Sequence, residues 1–183
     1  MDKNLIQKLA EEAGFTLIGE LNTGALDFIP EVRAMCSADK CHNYGHCWTC
    51  PPYCGTLEES AEKASHYSRG VIVQTSAEMK DDFDYETISE TESLHKTRFS
   101  NFVDMIKENE KDVLPMSAGG CRICQKCTCP DEPCRFPDKA MISMEAYGLL
   151  VCDTCRHSGM KYSYGPHTIT FTSCVLYNIT PEP

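Results

Sequence analysis

Cys121, Cys124 and Cys127 stand at equal intervals in a stretch that runs from Gly120 to Pro137 and also carries Cys129-Pro130 and Pro133-Cys134. A C-x2-C-x2-C run brings three thiolates onto one tightly wound loop. There they can hold three corners of a cubane [4Fe–4S] cluster while a fourth ligand arrives from a more distant cysteine. Structural zinc sites usually take their thiolates as two separated C-x2-C knuckles and have little use for a third cysteine at the same interval. Bacterial ferredoxins place three residues before their next Cys-Pro, whereas Cys129-Pro130 follows Cys127 after one. That short gap would crowd a single iron, so Cys134, at the end of the longer loop through Pro130 and Pro133, is the better fourth ligand. Arg122, Lys126 and Arg135 lie in the same loop. Beside an anionic cluster such cations would stabilise its reduced form, and otherwise they are plain surface charges.

A second dense group precedes it: Cys36, Cys41, Cys47, Cys50 and Cys54 fall within nineteen residues. Gly45 permits a tight turn, and Pro51-Pro52 forbids helix directly after Cys50, which keeps that sulfur on a bend. His42 and His46 are possible ligands, as Rieske centres show, although loop histidines are more often solvent-exposed. Trp48 reads as a lid over the metal site rather than a participant.

Taken in order, Cys36, Cys41-x2-Tyr44-Gly45-x4-Cys50-Pro51-Pro52, then the C-x2-C-x2-C run with Pro133-Cys134-Arg135-x-Pro137, then Ser143-Met144-Glu145-Ala146-x-Gly148, resemble a family of predicted metal-binding proteins of anaerobic bacteria and archaea. The resemblance runs from about residue 30 to the end of the chain. It implies metal binding through Cys36, Cys41, Cys50, Cys121, Cys124, Cys127 and Cys134, most naturally as iron–sulfur centres, and it brings no reaction. The first loop then has three ligands. Cys54 is taken as the fourth, with Cys47 as its rival; if neither serves, one iron is left open. Cys152, Cys155 and Cys174 read as buried structural cysteines, or as part of a third site with the spare thiol of the first loop.

Composition narrows the classes. Thirteen cysteines in 183 residues are an odd number, which would leave one thiol unpaired in a disulfide framework. The first twenty residues lack both an unbroken apolar stretch and a small-residue cleavage site, so a cytoplasmic, reducing location is expected. No window approaches the roughly 20 apolar residues of a membrane helix. A formal charge of −10 argues against nucleic acid as a partner.

Ordinary elements must carry these loops. Leu5, Ile6, Leu9, Ala10 and Ala13 recur at helical spacing before Gly14, and a short strand over 15–21 follows. Thr56 and Glu59 have the form of a capping box opening a helix to about Tyr67, and Val71-Ile72-Val73 suits a central strand. Seven acids crowd residues 78–92, as a solvated segment or as a docking face for a redox partner. Phe99, Phe102, Val103 and Ile106 mark a long amphipathic helix ending near Lys111. Asp138–Tyr147 reads as a short helix, Leu149–Val151 as a strand, and Ile169, Phe171, Val175 and Tyr177 as one face of a half-buried final strand.

The expected architecture is a single α+β domain over 1–183, with helices on one face of a small, mainly antiparallel sheet and two cysteine-rich metal loops. The expected function is an iron–sulfur protein with two [4Fe–4S] clusters, an electron carrier or redox subunit in anaerobic metabolism that meets a redox protein partner. The alternatives are an enzyme using a three-cysteine cluster as Lewis acid, with His42, His46 and Tyr44 as the nearest acid–base groups, or a zinc protein without redox role. Oligomeric state is open.

Overall fold

The computed structural model describes residues 2–179. In chain order they form α1 (Lys3–Glu12), β1 (Leu17–Glu20), α2 (Pro30–Ala34), α3 (Leu57–Ser65), β2 (Arg69–Glu78), α4 (Tyr85–Asn109), β3 (Val113–Met116), α5 (Val151–His157) and β4 (Thr168–Tyr177). The strands make one sheet in the order β1-β2-β4-β3, with every neighbouring pair antiparallel. This is the α+β class.

The long pair β2–β4, ten residues each, forms the spine, in a register that sets Val71 opposite Val175 and Ile72 opposite Cys174. Alternate side chains leave the sheet on opposite faces. Val71, Val73, Val175 and Tyr177 meet α1 and α4 in one core cluster, with Ile6, Leu9, Phe15, Phe99, Phe102 and Ile106. The four α4 positions spaced at i, i+3, i+4 and i+7 are all buried in it. Ile72, Cys174 and Leu176 point the other way, into a second cluster with Ala64, Met116, Met144, Tyr147, Leu149 and Cys155.

The second cluster corrects the expectation of a sheet covered on one face. Both faces are buried, which is why β2 is buried without alternation over Gly70–Thr75 and β4 over Thr172–Tyr177. The cover on the second face is shared by α3 and α5, through Ala64 and Cys155, and a turn-rich segment that carries Met144, Tyr147 and Leu149. Over 138–147 the chain makes turns: Ser117 N–H donates to Ile142 O at 2.9 Å and Met144 N–H to Ser117 O at 3.0 Å. This pairing across the fold overrides local helix propensity. Two isolated helical bonds remain there, Ala140 N–H to Phe136 O at 2.9 Å and Tyr147 N–H to Ser143 O at 3.0 Å. Leu149 makes an isolated bridge to Phe28 rather than a strand, and Leu150 already stands at the N-cap of α5. β3, which carries Pro115, is an edge strand, and a proline on an edge removes no bond from the sheet's interior.

Two local readings are met in detail. α1 ends before Gly14, whose φ of +94° a side chain would resist. At α3 the capping box is complete: Glu59 N–H donates to Thr56 Oγ1 at 3.1 Å and Thr56 N–H to Glu59 Oε2 at 2.7 Å. Thr56→Ala removes one half of it and is expected to cost about 1 kcal/mol in denaturant unfolding, with Thr56→Ser nearly neutral.

Candidate metal centre

The two cysteine loops lie against each other. The first begins where α2 passes into a 3-10 turn, Met35–Ala38, that carries Cys36. Left-handed Asp39 then reverses the chain, and its carboxylate accepts from Tyr44 N–H at 2.9 Å. Consecutive tight turns follow, with Cys50 N–H donating to Cys47 O and Tyr53 N–H to Cys50 O, both at 3.0 Å. Cys47, Cys50 and Cys54 are buried, Cys36 is half-buried and Cys41 is exposed.

The second loop leaves β3 through Ser117 and is held by α4. Lys96 Nζ donates to Gly120 O at 2.6 Å, while Glu92 pairs with Lys96 at 2.8 Å and with Arg122 at 3.0 Å. Within the loop, Thr128 Oγ1 donates to Pro133 O and Arg135 to Lys126 O, which folds the Cys134 end back over the Cys124–Cys127 end. Contact between the loops is close. A Cβ on Gly120 would come within 2.6 Å of Asn43 Nδ2, and Trp48 Nε1 donates to Glu132 O at 3.0 Å.

Cys121, Cys124, Cys127 and Cys134, more than ten residues apart from first to last, line one small cavity. Cys47 of the first loop lines it too, with Trp48, Ile123 and Phe136 as apolar walls. The Cys47 thiol is held well below its usual range by hydrogen bonds from Cys121 and then Cys50, and those two thiols are pushed up by the same contact. Cys47 also lies 3.3 Å from Thr49 Oγ1. Cys129 is buried and is absent from the lining.

Cys36 lies near Cys41 and Cys54, and Cys50 and Cys54 both lie near Cys47, so the thiols of the first loop run on into the cavity of the second. Burial, then the charges of Cys41, Glu145 and Cys54, pushes the Cys36 thiol up. Cys50 feels Cys41 as well as Cys47. Cys54 Sγ accepts from Arg33 Nη2 at 3.3 Å, and the same guanidinium donates to Gly55 O. Burial raises Cys54, and the Arg33 charge opposes it. Arg33 and Glu145 were not among the residues that loop spacing singled out as site groups.

Other candidates separate from these loops. His42 and His46 are exposed. Cys155 and Cys174 sit fully buried in the second core cluster, where Gln74 Nε2 lies 3.5 Å from Cys155 Sγ, so packing is their visible role. Cys152 is half-buried beside Asp153. Of the acids in 78–92, Asp84 caps α4 and Glu92 ties α4 to the second loop. Among the described residues there is no disulfide, no group of three Cys, His, Asp or Glu side chains closes round the position of a single metal ion, and no helix is long and apolar enough to cross a membrane.

An antiparallel sheet that presents two abutting cysteine-rich loops defines an α+β scaffold built around thiols. A family model described as predicted metal-binding protein (DUF2284) matches residues 19–177, and the chain belongs to that family. No curated protein and no solved structure matches it.

Proposed function

We propose that the protein is a single iron–sulfur domain holding two [4Fe–4S] clusters and that it serves as an electron carrier or redox subunit. The observation that carries this reading is the convergence of Cys121, Cys124, Cys127 and Cys134 on one cavity with no competing disulfide. A donor set made wholly of thiols at this spacing fits an iron–sulfur cluster. These four cysteines would hold the second cluster. Cys36, Cys41 and Cys50, with Cys54 as the fourth candidate from the sequence, would hold the first.

When bound, such clusters supply one-electron transfer at potentials of roughly −700 to +450 mV. The chain's own contribution is position and shielding. Trp48 and Phe136 wall the second cavity, which limits water there. Glu92 fixes Arg122 beside Cys121. The exposed acids Glu78, Asp81, Asp82, Glu86 and Glu90 lead into the α4 face that borders the second loop, and they suit a redox partner with a basic contact surface.

A second reading has one observation in its favour. A groove of about 410 Å³ runs from Cys121 along α4, lined by Ser93, Lys96, Thr97, Arg122 and Lys139, and this volume lies in the range of small-molecule sites. A cluster enzyme would bind its substrate there.

Anaerobic purification with iron and sulfide analysis and EPR tests both. The expected result is about eight irons and eight sulfides per chain, as two [4Fe–4S] clusters require. Reduced signals indifferent to small ligands support the carrier, and a signal shifted by them supports the enzyme. Zinc in place of iron after strictly anaerobic preparation overturns both.

A further inference from the structure

The groove along α4 has a charge opposite to that of the chain as a whole. The protein has 27 Asp and Glu against 17 Lys and Arg, yet the groove of about 410 Å³ is lined by three cations, Lys96, Arg122 and Lys139, and one carboxylate, Glu92. That carboxylate is shared: Lys96 lies 2.8 Å from one of its oxygens and Arg122 lies 3.0 Å from the other. Its single charge answers two. Lys139 pairs at 2.6 Å with Asp104, which is outside the lining, and both of those side chains are well exposed. An exposed pair of this kind is worth little and yields to a competing anion. Lys96 is committed to the fold, because its ammonium also donates to Gly120 O at 2.6 Å. Contacts to a ligand therefore fall to Arg122 and Lys139.

The rest of the lining says what kind of anion fits. Ser93 and Ser100 of α4 offer hydroxyls, and Ile123 and Met141 offer apolar surface. Met141 packs against the first core cluster, so that wall is fixed. Cations and hydroxyls match the oxygens of a carboxylate or phosphate, and the apolar wall matches a short carbon skeleton. A bare inorganic ion would leave that wall and most of the volume unused. Cys121 and Ile123 line both this groove and the thiol cavity of the second loop, so the two share a wall.

We propose that the groove binds a small organic anion, a carboxylate or phosphate on a short carbon skeleton, held by Arg122 and Lys139 against the wall shared with the second centre. For the use made of that ligand, this rests on the second reading above, in which a cluster enzyme takes its substrate here. Binding itself needs only the folded second loop.

The test is isothermal titration calorimetry on the full chain, prepared anaerobically with its metal in place. The probes are benzoate, glutarate and phenyl phosphate, with benzamide as the neutral counterpart of benzoate. At least one of the anions is expected to bind in the millimolar range or tighter, and more weakly as salt is added, while benzamide stays silent. The order among the three names the head group. Arg122→Gln and Lys139→Gln are each expected to weaken that anion about tenfold, as loss of one charge-assisted contact should. Lys139 stands outside the cysteine loop, so its variant tests the groove even where Arg122→Gln disturbs the metal. Lys107→Gln removes a cation outside the lining, one that bonds Asp138 O, and is expected to leave the affinity unchanged. The proposal is overturned if none of the three anions binds, if benzamide binds as well as benzoate, or if Lys107→Gln weakens binding as much as Lys139→Gln does. Metal analysis and EPR on the same samples separate its failure from that of the second reading. An anion that binds and leaves every signal unmoved, or binds to protein that carries zinc, upholds the groove site and overturns the cluster enzyme.

Discussion

Cys127→Ser is expected to remove about half of the iron from anaerobically prepared protein, with one of two reduced EPR signals lost and the other kept. Cys127 is the third thiol of the C-x2-C-x2-C run and lines the same cavity as Cys121, Cys124 and Cys134. A serine there offers a weak alcohol ligand in place of a thiolate, and the other cysteines of that loop cannot easily replace it: Cys129 is buried and outside the lining. The thiols near Cys36 are carried by separate turns and should keep their own centre. Cys47→Ser is the companion variant. Because Cys47 contacts Cys121 and shares that cavity, its loss should weaken the second signal rather than the first. Full iron retention in Cys127→Ser, or selective loss of the first signal in Cys47→Ser, contradicts the arrangement.

The second large effect is acid lability of the fold through His95. This side chain is fully buried on α4, between Thr75 Oγ1 at 3.0 Å and Ser173 Oγ at 2.8 Å, with Phe15 packed edge-on at 5.6 Å. Burial, with smaller contributions from Lys96 and Arg98, pushes its pKa down from 6.5 to about 3. Between those two values the unfolded chain binds a proton that the folded chain refuses. Stability is therefore fully present above pH 6.5 and falls as the pH drops toward 3, by about 1.4 kcal/mol per unit. From pH 7 to pH 5 the expected loss from this one group is about 2 kcal/mol. Denaturant unfolding of wild type and of His95→Gln at both pH values checks it. The glutamine can still bond a hydroxyl but does not titrate, so its unfolding free energy should fall less across the interval. Equal slopes in the two proteins would refute the assignment.

How far the sequence disclosed this molecule depends on whether the signal was local. The α4 stripe through Phe99, Phe102, Val103 and Ile106, the Thr56–Glu59 box and the Val71–Val73 run each carry their instruction within a few residues, and each element forms where it was expected. The segment 138–151 failed because its conformation is decided from outside. Ser117 takes its backbone pairing, and its apolar side chains fill the second face of the sheet. Irregular backbone has no period to read. The cysteine loops were legible as chemistry from spacing alone, but not their apportionment. That Cys47 would turn toward Cys121, and that Arg33 would reach Cys54, follows from tertiary packing.

Trp48 is the chain's single tryptophan, wedged edge-on against Tyr53 at 5.2 Å and bonded across the seam to Glu132. Its indole thus sits at the joint between the halves of the thiol-bearing surface. Tryptophan emission from this protein comes from one place, and that place is where the two loops clasp, so fluorescence excited at the red edge of indole absorption reports on the clasp without a label. A dark, strongly absorbing inorganic core held in the cavity that Trp48 lines would quench it, which would make loading and loosening visible in a cuvette.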